Sequence, residues 1–297
     1  MAAIFAAAPL VVYPLFMMKV MCFALFACAF NLLIGYVGLL SFGHAMFFGM
    51  ASYATAHAAK VWGLTPELAI LFGTACAGLL GLVVGSLAIR RQGIYFAMIT
   101  LALAQMVYFF CLQVPFTGGE DGIQAVPRGR LFGLVDLSQV WAMYTLVLVV
   151  FLGGFLLIHR IVHSPFGKIL KAIRENESRA ISLGYDVDRY KLLAFVLSAT
   201  LAGLAGATKA LVFQLASLTD VHWSMSGEVV LMTLLGGLGT VFGPVIGAAM
   251  IMSMENYLAQ IGAWVTVVQG GIFVLCVLAF RRGVVGELIA WQQRRGQ

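Results

Sequence analysis

Few residues in this sequence combine a reactive side chain with a spacing that supports catalysis. The five histidines show no His-Glu-x-x-His or comparable metal spacing, and no glycine-rich loop ends in Gly-Lys-Ser or Gly-Lys-Thr. His44 lies in an apolar segment, where a buried histidine bonded to a neighbouring helix is favoured over a role in a solute path. Glu228 and Glu255 flank an apolar run, so they are candidate intramembrane acids, although both can reach the interface. The sequence predicts no catalytic residue, no metal site and no Walker-type nucleotide site in this chain.

The composition restricts the class of protein that could position these residues. Of the 297 residues, 62% are hydrophobic and only 10% are charged, and the mean hydropathy is +1.00. Such a chain is too apolar for a soluble globular protein, so we expect a polytopic membrane protein. The basic residues behind the net charge of +6 lie between apolar runs, which indicates membrane topology rather than nucleic-acid binding. The five cysteines lie inside apolar runs without paired spacing and are expected to pack.

Apolar runs of about 20 residues predict transmembrane helices and hence an all-α fold. Residues 20–59 are long enough for two crossings that meet near 35–41, and 4–18 adds one marginal crossing. The remaining runs cover 68–89, 93–114, 140–158, 192–208, 229–254 and 261–280.

Lysine and arginine accumulate in cytoplasmic loops and therefore predict orientation. They are concentrated in 159–191, at Arg90 and Arg91, and in a C-terminal tail that carries Arg281, Arg282, Arg294 and Arg295. These regions are expected in the cytoplasm, and the loop 115–138 and the connection around Asp220 outside.

The stretch 234–250 contains five glycines and a proline inside an apolar run. An odd number of crossings must join an outside Asp220 to an inside Arg281, yet hydropathy offers two runs. One solution is a hairpin in which a half-helix ends near Leu235, the chain turns at 236–240, and a second helix returns from Gly243. The other solution is a third full crossing within the same region. Irregular backbone at depth is tolerated where protein or a water-filled cavity supplies hydrogen-bond partners, as in the broken helices of transporters. The Phe-Gly pairs at 42–43 and 242–243 are a weak sign of an internal repeat. The alternative interpretation is that the small residues only allow helices to pack closely.

The basic segment 163–191 predicts a short amphipathic helix outside the bilayer. Ser164 and Pro165 favour a helix start, Gly184 a stop, and Asp186 the cap of the next helix. The apolar residues that fall roughly on one side are Ile169, Leu170, Ile173 and Ile181. The spacing alone leaves three interpretations open: a helix on lipid headgroups, a solvated connection, or a docking helix for a soluble subunit, with mixed-sign contacts at Arg174, Glu175 and Glu177.

Three stretches resemble one family in order along nearly the whole chain. NLLIGYVGLLSFGHAMFFGMASY from Asn31, SPFGKILKAIRENESRAISLGYDVDRYK from Ser164 and GGLGTVFGPVIGA from Gly236 are similar to the LivM-type permease subunit of branched-chain amino acid ABC importers. The resemblance implies a single permease domain over 1–297 with about eight to ten spans, some broken or re-entrant. It also implies a related LivH-type permease, two ATPase subunits that bind ATP and Mg²⁺, and a periplasmic solute-binding protein as partners in the bacterial cytoplasmic membrane.

The resemblance assigns the loop 160–190 as a coupling helix that docks on the ATPases. Its expected contact residues are Lys171, Arg174, Glu175, Glu177, Ala180 and Gly184. The usual Glu-Ala-Ala-x-x-x-Gly motif is reduced here to Ala180 and Gly184, with Glu177 one place before the expected acid. The expected solute path or gate comprises Gly38, Ser41, Gly43, His44, Gly236, Gly237, Gly239, Thr240 and Gly243.

The expected function is ATP-driven import of branched-chain or similar amino acids. Relatives suited to urea, short amides or aromatic acids leave the solute open. An independent secondary transporter is the main alternative from another class, although few intramembrane acids are available for an ion site.

Overall fold

The computed structural model describes residues 5, 12–258, 264–279 and 283–287, and these are almost entirely helical. The helices are α1 Pro14–Asn31, extended as a π-helix over Leu32–Val37, α2 His44–Lys60, α3 Pro66–Ala88, α4 Ile94–Gln113, α5 Val140–His163, α6 Pro165–Glu175, α7 Glu177–Ser182, α8 Val187–Phe213, α9 Trp223–Gly236, α10 Gly243–Leu258 and α11 Trp264–Ala279. Short strands form two antiparallel pairs, β1 Ile123–Gln124 with β4 Leu215–Ala216, and β2 Arg130–Leu131 with β3 Val135–Asp136. The expected all-α polytopic membrane protein is confirmed.

Helix length separates complete from incomplete membrane crossings. Among the described residues, five helices are long and apolar enough to span a bilayer: α1 with its π-helical extension, α3, α4, α5 and α8. By contrast, α2 and α9 have 17 and 14 residues. At 1.5 Å per residue these are about 21–26 Å long, whereas the hydrocarbon core is about 30 Å thick. Backbone that is not helical must therefore occur at membrane depth beside them.

Helices α1 and α8 form the interior of the bundle. The most apolar part of α1 is 94% buried and that of α8 is 78% buried, compared with 33% for α4. Small residues on α8 permit this position, since a side chain at Gly206 would collide with the Phe48 carbonyl and one at Gly203 with Ala77. Such small residues allow helix backbones to approach closely in membranes, where packing rather than the hydrophobic effect drives association.

Contacts at the two ends of the bundle agree with the alternation of outside and inside loops that the charge distribution predicted. At one end, the external-loop end, Lys60 bonds to the Gln124 carbonyl, and Arg128 bonds to the Val212 carbonyl. A buried ion pair at this end joins Lys209 to Asp220, with 2.6 Å between Nζ and Oδ2. At the other end, the coupling-loop end, the residues after α3 meet α7 and the start of α8. The predicted outside and inside segments are thus grouped at opposite ends, while the side on which each end lies stays a prediction.

One expectation about helices is confirmed and one changes. The run 229–254 is interrupted as the half-helix interpretation predicted, because α9 ends at Gly236 and α10 begins at Gly243. The single amphipathic helix expected in the coupling loop is wrong: it is two helices, α6 and α7, separated at Asn176. Of the marginal crossing over 4–18, residues 4 and 6–11 lie outside the described residues and 14–18 form the start of α1, while the basic tail at 281, 282, 294 and 295 lies outside them entirely.

Candidate functional site

The coupling loop is defined by capping interactions at each of its ends. Ser164 caps α6 by accepting from the Gly167 amide, and Pro165 occupies the first helical position. Gly184 ends α7 with φ +86°, a left-handed conformation that favours glycine. The Tyr185 amide then donates to the Ala180 carbonyl at 3.2 Å, and the Gly184 amide to that of Ile181 at 2.9 Å. The start and stop signals predicted from the sequence are confirmed.

Asn176 causes the interruption that the sequence did not predict. Its φ of −156° and ψ of 97° are extended, and its side-chain oxygen accepts from the Arg179 amide at 3.0 Å. Asparagine competes with the helix in this way because its side chain can bond to nearby backbone groups. The break rotates α7 relative to α6, so Leu170 and Ile173 are buried whereas Ile181, expected on the same side, is 57% exposed.

Glu177 anchors α7 to the bundle. Its carboxylate lies 2.7 Å from the ammonium of Lys191, which is buried at the start of α8, and accepts a second bond from Gln92 at 2.7 Å. Ala180 is buried beside Ile173 and Val187. Of the expected docking residues, Glu177 and Ala180 therefore contact this chain, while Glu175 is exposed.

Arg174 connects the coupling loop to the membrane helices. Its guanidinium donates to the carbonyl of Gly35, which belongs to the π-helical segment at the end of α1. The side chain also covers Gly38, where a Cβ would be 3.1 Å from the Arg174 Cγ. One turn earlier on α6, the Lys171 ammonium lies 5.4 Å from the centre of the Tyr36 ring. Helix α6 is thus attached to the end of α1 by two cationic side chains.

The broken segment between α9 and α10 is a tight turn whose glycines have two distinct roles. Gly237 and Gly239 adopt φ of +118° and +73°, which favour glycine. A side chain at Gly236 would collide with the Gly243 carbonyl. The Thr240 hydroxyl closes the turn by donating to the Gly237 carbonyl at 2.8 Å and accepting from the Gly243 amide at 3.1 Å. The turn is therefore part of a helical hairpin with close backbone contacts.

Asn31 binds this turn from α1. Its amide nitrogen donates to the Thr240 carbonyl at 2.9 Å, and its amide oxygen accepts from the Gly239 backbone N–H at 3.1 Å. These bonds satisfy backbone groups that the interrupted helices leave without partners, which a hydrocarbon environment would require. Asn31 is 2% exposed, and no motif in the sequence marked it as a site residue. The available signal was an amide side chain alone inside a long apolar run.

The first interruption, between α1 and α2, is held by packing. A side chain at Gly43 would collide with the carbonyl of Thr100, and Gly38 has φ +84°. Ser41 is buried, and its hydroxyl accepts from the Gly43 amide at 3.3 Å. The first turn of α2 is completed from another helix, since the Ala45 amide donates to the Ser226 hydroxyl at 2.9 Å.

His44 is buried in the bundle interior. Its Nε2 lies 2.8 Å from the Ser198 hydroxyl, which itself donates to the Ala29 carbonyl at 2.5 Å. This order of donors assigns the hydrogen of the neutral ring to Nε2. Nδ1 then faces apolar surroundings without a hydrogen-bond partner among the described residues. The rings of Phe30, Phe47 and Phe195 are edge-on to it. His44 thus has the contacts of a packed core histidine.

The two intramembrane acids differ in their partners. Glu255 pairs with Lys19, with 2.9 Å between Nζ and Oε2, and so joins α10 to the first turns of α1. Glu228 lies on α9 and is half-buried.

The expected site residues thus fall into separate groups. Arg174, Gly38 and Gly239 come together at the coupling-loop end, where a Cβ at Gly239 would lie 3.5 Å from the Arg174 Nη1. Gly236, Gly237, Thr240 and Gly243 extend this group around the turn. Ser41, Gly43 and His44 lie along the start of α2 and contact α4, α8 or the first loop itself.

A helical membrane bundle with interrupted helices and a structured loop at one end defines the class of polytopic membrane permeases. The family described as branched-chain amino acid transport system / permease component matches residues 14–277. This chain therefore belongs to that family of ABC-type permeases, whose members are transport subunits without catalytic activity of their own.

Individual relatives support the assignment and widen the choice of solute. The chain is 26% identical over 288 residues to the high-affinity branched-chain amino acid transport system permease LivM of Escherichia coli, covering 89% of this chain and 68% of that protein. It is 26% identical over 254 residues to a probable LivM of Methanocaldococcus jannaschii, with 73% and 72% covered. The ribose import permease RbsC of Bacillus subtilis is 28% identical over 238 residues, with 75% and 70% covered. No solved structure matches significantly.

Proposed function

We propose that this chain is the permease subunit of an ATP-driven importer of branched-chain or similar hydrophobic amino acids in the bacterial cytoplasmic membrane. The contact of Arg174 with Gly35 and Gly239 carries the proposal, because it joins the coupling loop to both interrupted segments. A bias applied to the loop by ATP binding in a partner would shift a two-state bundle through this contact. The likeness to the LivM proteins supports the solute class.

The proposed assembly has two permease subunits and three soluble subunits, which are two ATPases and one binding protein. A related LivH-type permease would pair with this chain, two ATPase subunits would bind ATP and Mg²⁺, and a periplasmic binding protein would deliver the solute. The coupling loop and the C-terminus would face the cytoplasm, as the distribution of Lys and Arg favours.

The outer surface of α7 and the residues after it is the proposed ATPase contact. Ile181 and Leu183 are 57% and 69% exposed, and Glu175 and Arg179 are exposed beside them. Exposed apolar residues with a charged rim are typical of a surface that binds another protein. Arg174 and Glu177 contribute to this ATPase contact indirectly, because they fix the coupling loop to the bundle.

Uptake into liposomes tests this function. The chain would be reconstituted with its partner subunits and supplied, in separate experiments, with labelled leucine, ribose, urea and benzoate. We expect leucine uptake that requires both ATP and the ATPase subunits. If only another of these solutes were taken up, the assignment as an ATP-driven importer would stand and the proposed solute class would be wrong. Uptake driven by an ion gradient without the ATPases would favour a secondary transporter and contradict the proposal.

A further inference from the structure

The last two turns of α5 border a basic cavity beside the start of the coupling loop, and the proposed transport function assigns this cavity no ligand. Leu156, His159, Arg160, His163 and Ser164 line a cavity of about 610 Å³. The imidazole rings of His159 and His163 are stacked with 4.2 Å between their centres. None of the five lining residues carries a carboxylate, so the side chains around this cavity favour an anion.

A backbone contact orients His163 for binding an anion. Its Nδ1 lies 2.8 Å from the His159 carbonyl oxygen. Because a carbonyl oxygen can only accept, the hydrogen of this bond is on Nδ1. The Nε2 edge of the ring is then left free of this backbone bond. The cavity therefore offers the planar guanidinium of Arg160, which matches the geometry of a phosphate group, with the His163 ring beside it.

An apolar stripe leads from this cavity along α5 toward the other end of the helix. Val149, Gly153, Leu156 and Arg160 are spaced by four, three and four residues, which places them on one helix face. Val149 and Leu156 are 62% and 63% exposed. Gly153 has no atom of a neighbouring element within 4 Å of a Cβ position, so it leaves an open notch between them. The face combines a cationic end with an exposed apolar stripe that extends over about 11 residues.

We propose that this face of α5 binds one anionic phospholipid, with its phosphate at Arg160 and His163 and an acyl chain along Val149, Gly153 and Leu156. The cationic end lies at the same end of the bundle as the coupling loop, which the charge pattern places in the cytoplasmic leaflet. Basic pockets at that level bind anionic headgroups in other membrane proteins. The continuous apolar stripe favours a lipid over a free phosphate, because a soluble anion would use only the cationic end.

Native mass spectrometry of the purified full chain in detergent tests the site. Phosphatidylglycerol and phosphatidylcholine would be added in equal amounts, and the retained lipids counted. We expect preferential retention of phosphatidylglycerol, about fivefold weaker binding in Arg160→Gln, which removes a cationic group, and a smaller loss in His163→Gln. The matched control is Arg90→Gln with Arg91→Gln, which removes an exposed basic pair at the same end of the bundle and should leave the preference intact.

Two further arms distinguish a bound phospholipid from a bound inorganic anion and from general attraction to basic residues. Gly153→Leu adds a side chain at a position where a Cβ meets no neighbouring element, so the folded protein should keep its thermal stability and lose part of its lipid retention. Inorganic phosphate should not displace the lipid at concentrations similar to those of the lipid. Equal retention of both lipids, displacement by inorganic phosphate, or an effect of the Arg90 and Arg91 control equal to that of the α5 variants would overturn the proposal. None of these readouts depends on transport activity.

Discussion

The two interrupted segments of this permease are built differently although both begin a helix with a Phe-Gly pair. The first, between α1 and α2, packs at Gly43 against the backbone of α4, a separate helix. The second, between α9 and α10, packs at Gly236 against Gly243 of its own hairpin, and hydrogen bonds from Asn31 attach its turn to α1. Backbone packed between two helices has no alternative arrangement nearby, whereas the hydrogen bonds that attach the turn can be exchanged for bonds to water or to another residue. We therefore expect the second segment to move and the first to support it.

Arg174 contacts both segments from the coupling loop. It bonds to Gly35 beside the first interruption and lies next to Gly239 in the second. A shift of α6 would thus reach the movable turn directly, without passing through the rest of the bundle.

The largest expected effects come from the glycines that have backbone as their nearest neighbour. Gly43→Ala and Gly236→Ala place a methyl group against the carbonyls of Thr100 and Gly243. Overpacking costs about 1–3 kcal/mol and occasionally more, and a methyl group forced against backbone is expected at the upper end of this range. We expect both variants to unfold at clearly lower temperature in detergent. Gly153→Ala, in open space on α5, is the control and should unfold like the natural protein. Equal stability of all three would show that neither interruption is tightly packed.

Asn31→Ala distinguishes the two interruptions more sharply. It removes two buried hydrogen bonds and leaves the Gly239 amide and Thr240 carbonyl without these partners, which costs about 2–3 kcal/mol. Ser41→Ala removes one long bond in the first interruption and should cost less than about 1 kcal/mol. Hydrogen exchange should rise at 237–242 in Asn31→Ala and stay unchanged at 38–43. Faster hydrogen exchange at 38–43 in Asn31→Ala, without a change at 237–242, would contradict the view that the second interruption is the movable one.

Glu177→Gln tests whether the loop's anchor is separate from the turn. The substitution removes the charge that partners the buried ammonium of Lys191, and because Glu177 is partly exposed we expect a loss of about 1–2 kcal/mol. Hydrogen exchange should increase in α7 and not at 237–242. Glu175→Gln, at an exposed position, is the control and should change neither the stability nor the exchange pattern. Increased exchange of the turn in Glu177→Gln would mean that α7 also supports it.

Gly184 provides the smallest expected effect. Its φ of +86° disfavours other residues, but no atom lies near a Cβ at this position. Gly184→Ala should therefore cost about 1 kcal/mol, and Gly184→Asn less, because asparagine tolerates the left-handed conformation. Thermal unfolding in detergent measures both variants. A larger loss in Gly184→Asn than in Gly184→Ala would contradict a purely conformational role.

The sequence predicted those features that depend on local signals. Hydropathy located the long helices, and charge grouped the loops by end. Ser164, Gly184 and Asp186 marked helix ends through their side-chain or backbone preferences. The glycines and proline of 234–250 located the break between α9 and α10.

The features that the sequence did not reveal depend on contacts between distant segments. Asn31 and Thr240 are 209 residues apart, and Arg174 and Gly35 are 139 apart. No periodicity specifies such pairs. The break at Asn176 was missed for a different reason, since its capping signal occurs inside a pattern that also fits one continuous helix.

The distance between the coupling loop and the turn tests the central claim most directly. Nitroxide labels at Glu175→Cys and Phe242→Cys, both exposed positions, would report it in the assembled importer with and without ATP. We predict that this distance stays constant while the distance from Phe242→Cys to Ser138→Cys at the external-loop end changes. In Arg174→Ala the first distance should become variable. A distance between loop and turn that changes with ATP in the natural protein, or that is unaffected by Arg174→Ala, would contradict coupling through Arg174.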